Sequence, residues 1–369
     1  MPLPVSILFG GLSSEYNGSV SSLKNLLSSY MSTEEADRPF SVMNLYHVSR
    51  EDGLVRKIRF HNAFTIAELQ AHLSGSASTH GRTIPATFDA IEPNEEYLVN
   101  LLHGEFGEDG GVQTIAALSG LRGTFGDPRV ASLTMNKYAM SAFVSSLLPR
   151  EIVSVPHTIL VNPQNAYDAV RTAMSLHGQI VIKPNSLGSS LFAKLFKCPQ
   201  SAEQEMHTLL ESIFTYDLSA VIQEFIPGDE YTCGCIIGSS GLVMLPVVKV
   251  DAPNQFYGSE QKSSTGKTNR YAISDGDDIS IGIKSVASAI ASSLNLCNMA
   301  RFDFRFSNDQ KVYFLECNYI PGLSRNGSFE TMLTHFGMNV VDLISWVASN
   351  SIPFKNRRHY IANADEQLL

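Results

Sequence analysis

The chain has 369 residues, of which 44% are hydrophobic and 17% are charged, so it can bury a large core and divide into two or three domains. Its formal net charge of −9 argues against a nucleic-acid binder, although local lysines could still bind a small polyanion. The five cysteines fit no zinc or disulfide framework and are interpreted as reduced thiols. Because no basic leader is present and no apolar run approaches about 18 residues, we expect a cytoplasmic protein with no membrane partner.

The N-terminal segment has the pattern of a strand, a Gly/Ser turn and a helix. Residues 5–9 are apolar, Gly10 and Gly11 follow, and helical spacing begins near Ser19. This order predicts the first layer of an α/β domain. The segment lacks the Gly-x-Gly-x-x-Gly spacing, so a dinucleotide site is not supported. Residues 31–94 show no clear periodicity, and their function cannot be predicted.

A second strand and turn follow this region. Residues 97–103 are predicted to form a buried strand, and residues 104–111 form a loop rich in Gly and acidic residues before another helix. The sequence Gly126-Asp127-Pro128 then interrupts the pattern. We place a domain boundary there.

The next chemical feature is a strand that ends on a lysine. In the strand predicted at 179–184, residues 180–182 are β-branched, and Pro184 favours an extended backbone at Lys183. The small residues at 185–190 would expose backbone N–H groups and hydroxyls to phosphate oxygens. A plain turn is the alternative, since this segment does not match the P-loop pattern.

A strand and turn at residues 221–230 form a third candidate site. Main-chain groups at Glu224 and Phe225 could pair with an adenine edge, and Glu230 could accept ribose hydroxyls. A solvated acid at the start of a strand is the ordinary alternative.

Residues 301–318 are predicted to form a hairpin around a turn at 307–311. If the turn is centred there, Asp303 lies opposite Glu316, and Arg301 lies opposite Asn318 on the same face. The opposite face would carry Phe302, Phe304, Tyr313 and Leu315. Opposed carboxylates repel unless a cation lies between them, and Asp, Glu and Asn oxygens suit Mg²⁺. The alternative is a hairpin with solvated charges.

The order of these motifs resembles that of the ATP-grasp ligases, and the details resemble the D-alanine-D-alanine ligase family. The resemblance also includes Gly10-Gly11-Leu12-Ser13-Ser14-Glu15, the His103-Gly104 loop up to Gly110, and Met135-Asn136-Lys137. It covers nearly the whole chain. It implies an α/β fold with an N-terminal pre-ATP-grasp α/β domain followed by a two-subdomain ATP-grasp fold. We expect an N-terminal substrate domain at 1–126, subdomain A at 127–222, and subdomain B at 223–369 with a lid at about 251–270.

The resemblance also implies a role for individual residues. Those expected to bind ATP are Lys137, Lys183, Ser190, Glu224, Phe225, Glu230 and Lys262. Those expected to hold two Mg²⁺ ions, with Mn²⁺ as an alternative, are Asp303, Glu316 and Asn318. Those expected to take part in catalysis are Glu15, Ser189, Arg301 and Gly322. Those expected to contact the amino-acid substrates are Glu15, His103, Ser263, Gly327 and Ser328.

In the reaction that the resemblance implies, the carboxylate of a first amino acid attacks the γ-phosphate of ATP to give an acyl phosphate. The amine of a second amino acid then attacks the carbonyl carbon and releases phosphate. Charge cancellation on the phosphoryl group and donors for the developing oxyanion are required. The resemblance further implies a homodimer and a role in peptidoglycan biosynthesis.

Departures from the family pattern are concentrated near the second substrate. The tyrosine expected after the lid lysine is Ser263, and residues 323–328 replace the usual sequence after Pro-Gly. Asn17 and Gln223 replace two expected acids. We therefore favour a ligase that joins an amino acid to a partner other than D-alanine. An ordinary cell-wall ligase that has drifted is one alternative, and a nucleotide-binding sensor without turnover is another.

Overall fold

The computed structural model describes residues 2–75, 81–93, 95–251 and 269–352. Lys262, Ser263 and most of the predicted lid at 251–270 lie outside these ranges. No helix in the described ranges has the length and apolar character needed to cross a bilayer.

The N-terminal sheet has the strand order β3-β2-β1-β4. Its strands are β1 (Leu3–Gly10), β2 (Phe40–Val48), β3 (Val55–Arg59) and β4 (Tyr97–Asn100). The helices of this part of the chain are α1 (Tyr16–Ser32), α2 (Ile66–Ser74), α3 (Ile84–Phe88) and α4 (Gly111–Leu118). β1 runs parallel to β2 and β4, whereas β3 is antiparallel to β2.

The predicted strand-turn-helix unit at the N-terminus is confirmed. The apolar run of β1 is buried, and α1 buries the stripe that contains Val20, Leu23 and Leu27. Gly10 connects the two elements with φ of 96°, and a Cβ atom there would lie 2.3 Å from the carbonyl oxygen of Val48. Only glycine allows the turn to pass so close to β2.

Two helices connect the N-terminal sheet to the rest of the chain. They are α5 (Pro128–Met135) and α6 (Lys137–Leu147), capped by the side chains of Asp127 and Asn136. Their buried residues Ala131, Met140 and Val144 belong to the core under the C-terminal sheet. The domain limits at residues 126 and 222 remain predictions.

The middle sheet has the order β5-β8-β6-β7 and is antiparallel. Its strands are β5 (Thr158–Val161), β6 (Ile180–Pro184), β7 (Lys194–Phe196) and β8 (Ala220–Glu224). Helices α7 (Ala166–Leu176) and α8 (Glu203–Phe214) bury their apolar faces in the same core as this sheet. The strand predicted to end at Lys183 is therefore β6.

The C-terminal sheet has the order β12-β11-β9-β13-β14, and β10 pairs with β9. Its strands are β9 (Gly228–Gly238), β10 (Gly241–Met244), β11 (Val248–Asp251), β12 (Asn269–Ala272), β13 (Asn298–Ser307) and β14 (Val312–Asn318). Helix α9 (Asp278–Ser293) packs in one core with residues of β13 and β14. Helices α10 (Ser328–Phe336) and α11 (Val340–Ser349) share a second core with the N-terminal sheet.

The predicted hairpin is present as β13 and β14, with one correction to its register. Arg301 pairs with Asn318 and Asp303 with Glu316, as predicted, but the register shifts after Asp303 so that Phe304 faces Phe314. Phe314 is fully buried in the core, and the prediction that Tyr313 and Leu315 point to that face was wrong. A β-bulge at this position adds one residue to β14 and brings Leu315 to the wall of a cavity.

Candidate active site

A cavity of about 310 Å³ lies between the middle and C-terminal sheets. Strand β6, the loop after it, the end of β8, and strands β9, β13 and β14 all contribute to its wall. The sequence-predicted site residues on this wall are Lys137, Lys183, Ser189, Ser190, Glu224, Phe225, Glu230, Arg301, Asp303, Glu316, Gly322, Gly327 and Ser328.

Three predicted residues lie beside the cavity and do not line it. The Ser189 hydroxyl donates to Glu15 Oε2 at 2.7 Å, which connects Glu15 to the wall. Asn318 Nδ2 donates to Asp303 Oδ2 at 3.1 Å. A Cβ atom built on Gly322 would lie 3.9 Å from His103 Nε2, so this imidazole also borders the site.

The loop after β6 has an unusual backbone. Ser189 and Ser190 both have φ of 54°, a left-handed conformation that serine seldom adopts. Gly188 lies so close to Glu15 that an added Cβ atom would be 1.9 Å from Glu15 Oε1. Backbone strain of this kind is concentrated at ligand-binding loops, which agrees with the prediction of a phosphate-binding loop.

Two lysines border the same part of the cavity. Lys137 Nζ donates to the Leu187 carbonyl oxygen at 2.7 Å and lies 4.0 Å from Glu316 Oε2. Burial lowers the pKa of Lys183 to about 8. The positive charge of Lys137 also lowers this pKa, whereas the negative charge of Glu316 raises it. Because the two cations destabilise one another, a bound polyanion would relieve their repulsion.

Arg305 also lines the cavity, and sequence reasoning missed it. Its guanidinium donates to the Ile226 carbonyl oxygen at 3.1 Å and to Glu230 Oε2 at 3.2 Å. It also lies over the Phe225 ring, 5.0 Å from the ring centroid. Burial raises the pKa of Glu230, whereas the charge of Arg305 opposes this shift. Arg305 thus ties the hinge after β8 to the acid predicted to bind ribose.

The Asp303 carboxylate is held by four hydrogen bonds. Arg301 donates Nε to Oδ1 at 2.9 Å and Nη2 to Oδ2 at 2.8 Å. Thr232, a residue that the sequence analysis did not identify, donates to Oδ1 at 2.6 Å. Asn318 donates to Oδ2. The network fixes Asp303 beside Glu316 on the hairpin face.

The residues of this hairpin fit the chemistry of Mg²⁺. Asp303, Glu316 and Asn318 supply carboxylate and amide oxygens, which are hard ligands. Among the residues described, no group of three or more His, Cys, Asp or Glu side chains forms a metal-binding cluster. Mg²⁺ is commonly held by one or two carboxylates, water and substrate phosphates. Asp303 would have to exchange one of its present donors for the ion.

The region around Glu15 contains two buried atoms without hydrogen-bond partners in the described structure, Glu15 Oε1 and His103 Nε2. Burial lowers the pKa of His103, although the charge of Glu15 opposes this shift. Burial also raises the pKa of the nearby Glu108 to about 8, and the charge of Glu15 adds to this shift. Glu108, which accepts a hydrogen bond from the Gly104 backbone, lies in the Gly/acid loop that the sequence did identify. Unsatisfied buried polar atoms of this kind are typical of a ligand site.

Arg270 of β12 also lines the cavity. Arg270 Nε donates to the Ser328 hydroxyl at 3.1 Å, and Nη1 donates to the Asn326 carbonyl oxygen at 3.3 Å. Gly327 and Ser328 were predicted to contact substrate, but Arg270 was not. No motif surrounds Arg270, because it lies on a short strand just after residues 252–268.

Comparison with known proteins adds independent information. A family model described as the D-ala D-ala ligase C-terminus matches residues 155–348, which is more than half of the chain. A D-alanine--D-alanine ligase of Pediococcus pentosaceus is 24% identical over 337 residues, covering 87% of this chain and 90% of that protein.

Solved structures show the same fold. The VanG D-Ala:D-Ser ligase of Enterococcus faecalis aligns with a TM-score of 0.75 and 20% identity, covering 95% of this chain and 100% of that chain. A D-alanine--D-alanine ligase of Bacillus anthracis complexed with ATP aligns with a TM-score of 0.64 and 18% identity, covering 94% and 97%. The predicted ATP-grasp α/β fold is confirmed, and the chain belongs to the D-Ala-D-Ala ligase family.

Proposed function

We propose that this protein is an ATP-dependent ligase that forms an amide bond between two amino acids. The observation that carries the proposal is a single cavity in which two lysines lie beside the opposed carboxylates of Asp303 and Glu316. The family relationship supports the same activity, and one relative has been crystallised with ATP.

In this proposal the phosphates of ATP are bound by Lys137, Lys183, Ser190 and Lys262. Glu224 and Phe225 contact the adenine, and Glu230 binds the ribose. Arg305 supports this assignment because it fixes both the hinge and Glu230. The nucleotide would then lie along the cavity between the two sheets.

Asp303, Glu316 and Asn318 would hold Mg²⁺, which would neutralise the negative charge that develops on the transferring phosphoryl group. We propose that two Mg²⁺ ions bind at this site and that Mn²⁺ can take their place.

The first amino acid would bind with its ammonium group on Glu15, whose position depends on Ser189. Its carboxylate oxygen attacks the γ-phosphorus of ATP, and ADP leaves. The amine of the second amino acid then attacks the acyl carbon and loses a proton as inorganic phosphate departs. Arg301 and the Gly322 N–H would donate to the oxyanion formed in that step.

The second amino acid is proposed to be one other than D-alanine. The support is Ser263, which replaces an aromatic wall of the lid, together with residues 323–328. A structural neighbour is described as a D-Ala:D-Ser ligase, so the family includes such a protein. We also propose a cytoplasmic homodimer, on the basis of composition and family resemblance.

A screen of amino-acid pairs with ATP and Mg²⁺ tests the function. We expect phosphate release that depends on two amino acids, with a product mass equal to both substrates minus one water. ATP binding without pair-dependent phosphate release would contradict the ligase proposal and support the sensor. D-alanyl-D-alanine as the fastest product would support the ordinary cell-wall ligase.

The variant Ser263→Tyr tests the choice of the second substrate. Restoring the aromatic ring should shift kcat/KM toward a small second amine relative to larger amines. An unchanged ratio, in an enzyme that already prefers D-alanine, would mean that the serine does not determine specificity.

A further inference from the structure

Several glycines surround the two buried atoms that lack hydrogen-bond partners in the described structure. These atoms, Glu15 Oε1 and His103 Nε2, lie in the region where we propose that the first amino acid binds. An added Cβ atom would lie within 4 Å of the Glu15 or His103 side chain at each of Gly18, Gly104, Gly188 and Gly322. Backbone without side chains therefore borders both groups, which leaves room for a ligand beside them.

Gly18 differs from Gly104 and Gly188 because the fold does not require a glycine there. Gly104 has φ of 68°, and a Cβ atom on Gly188 would lie 1.9 Å from Glu15 Oε1. Gly18 lies in the first turn of α1, and among the described residues an added Cβ atom would meet only His103 Cδ2, at an ordinary contact distance of 3.8 Å. Glycine weakens a helix relative to alanine, so neither helix formation nor packing explains this residue.

The proposed binding of the first amino acid places its side chain beside Gly18. Glu15 takes the ammonium group, and the carboxylate faces Arg301 and the Gly322 N–H. Added Cβ atoms on Gly322 and Gly18 would lie 3.9 Å and 3.8 Å from two atoms of the His103 ring, so the imidazole lies between these glycines. We expect the remaining substituent of the α-carbon to follow the ring toward Gly18. Because Gly18 is exposed, no side chain of the described residues fills the space there.

We propose that Gly18 is a specificity-determining residue that makes room for a first amino acid with a side chain larger than the methyl group of alanine. This inference rests on the proposed ligase function and names the substrate class of its first site. That class consists of α-amino acids whose side chain is an ethyl group or larger. A side chain introduced at position 18 would occupy the same space from the protein and exclude these substrates.

The test compares alanine, 2-aminobutyrate and norvaline as first substrates, each in the configuration that the pair screen accepts. The first substrate supplies the carboxylate of the new amide, so fragmentation of the product identifies it as the N-terminal residue. The wild type should have a higher kcat/KM for the two larger amino acids than for alanine. Gly18→Val should lower the norvaline-to-alanine ratio of kcat/KM at least about 10-fold, the discrimination expected for side chains that differ by methylene groups.

Gly18→Ala is a milder variant in case the valine impairs folding. It should lower the same ratio by less and should not lower the melting temperature, since alanine favours the helix. Gly282→Val is the matched control, because Gly282 lies in α9 and no described atom is within 4 Å of an added Cβ atom there. It should keep the wild-type ratio. A wild type that uses alanine fastest, or a ratio that neither Gly18 variant changes, would overturn the inference.

A binding measurement separates this inference from the ligase proposal. Alanine and norvaline, each in both configurations, are titrated by calorimetry into the full chain with Mg²⁺ and a non-hydrolysable ATP analogue. Tighter binding of norvaline that Gly18→Val abolishes would support the inference even if no amino-acid pair gave turnover. Loss of this preference in Ser263→Tyr but not in Gly18→Val would assign the larger side chain to the second site. That result, or equal binding of the two amino acids by the wild type, would overturn the inference even if the protein proved to be a ligase.

Discussion

Glu316 interacts with several of the charged residues that line the cavity. It lies opposite Asp303 on the hairpin and 4.0 Å from Lys137 Nζ, and its charge opposes the lowering of the Lys183 pKa. One carboxylate therefore interacts with both lysines and with the second acid. The position is suited to a residue that must balance metal and phosphate charge during the reaction.

Glu316→Gln should abolish turnover while leaving the melting temperature nearly unchanged. A neutral amide could not balance the charge of the divalent ions that we propose at this site. Phosphate release at saturating Mg²⁺ and thermal unfolding are the measurements. Glu205→Gln, which removes an exposed ion pair with Lys194, should retain full activity. Near-normal turnover by Glu316→Gln at high Mg²⁺ would rule out the metal role.

The lowered pKa of Lys183 predicts a pH dependence for ATP binding. The lysine is charged below a pH of about 8 and loses its proton above it, so affinity for ATP should fall as the pH rises through about 8. Bound phosphate should raise this pKa, because it stabilises the charged form. Direct ATP titrations between pH 6.5 and about 9.5 would measure the effect.

Two variants complete this test. Lys183→Ala should weaken ATP binding by about 1.5–3 kcal/mol below pH 8, the worth of a charge-assisted contact. Lys183→Arg should make affinity independent of pH in this range, because a guanidinium stays charged. If the wild-type profile is flat, or the alanine variant binds ATP normally, Lys183 does not contact the nucleotide.

At the scale of elements, the two strands of the hairpin were predictable from the alternation of apolar and polar residues along each of them. The predicted pairing of Asp303 with Glu316 is confirmed, but the turn does not set it: the register beside the turn pairs Phe304 with Phe314, and the bulge shifts it by one residue before Asp303. No glycine marks the bulge at Leu315, and Leu315 only extends the apolar run at 312–314.

The region 31–94 was unpredictable for a different reason. It contains β2, which is parallel to β1 and buries six of its nine residues, including His47. A parallel strand covered on both faces shows no period-two alternation. Arg270, Arg305 and Thr232 were missed because their importance depends on contacts with segments far away in sequence. Residue types near a motif can be read from sequence, but such contacts cannot.

The loop after β6 gives a prediction at this scale. In Gly188→Ala the new methyl group would overlap Glu15 Oε1, so the carboxylate must move away from its hydrogen bond with Ser189. We expect KM for the first amino acid to rise about 10-fold or more, because the loss of a charge-assisted hydrogen bond has an effect of this size. KM for ATP should change little.

Gly178→Ala is the matched control, because nothing lies within 4 Å of an added Cβ atom there and Gly178 also lies in a connection that leads into β6. This variant should keep wild-type values of both KM constants. An unchanged KM for the first amino acid in Gly188→Ala would show that Glu15 does not bind it.

At the scale of the whole molecule, the cavity lies between parts with separate cores. The middle sheet and its two helices have a core of their own. The N-terminal sheet shares a continuous core with α10 and α11. The proposed nucleotide site therefore combines the middle sheet with the C-terminal sheet, whereas Glu15 reaches it from the N-terminal part.

Two hydrogen bonds connect α1 to the segment after β14 that carries Gly322. The Ser22 hydroxyl accepts from the Leu323 backbone N–H at 3.0 Å, and Asn25 donates to the Leu323 carbonyl oxygen at 2.8 Å. Ser22 and Leu323 are fully buried. The N-terminal helix thus positions the residue next to the proposed oxyanion donor.

Ser22→Ala should lower both stability and kcat. The buried N–H of Leu323 would lose its acceptor, which costs about 1–3 kcal/mol of unfolding free energy. The neighbouring Gly322 N–H would be held less firmly, so kcat should fall several-fold while KM for ATP stays constant. Denaturant unfolding and steady-state kinetics measure the two effects. Ser74→Ala, which removes an exposed hydroxyl bonded within α2, should change neither. If Ser22→Ala loses stability but keeps the wild-type kcat, the contact holds the two parts together without positioning Gly322 for the chemistry.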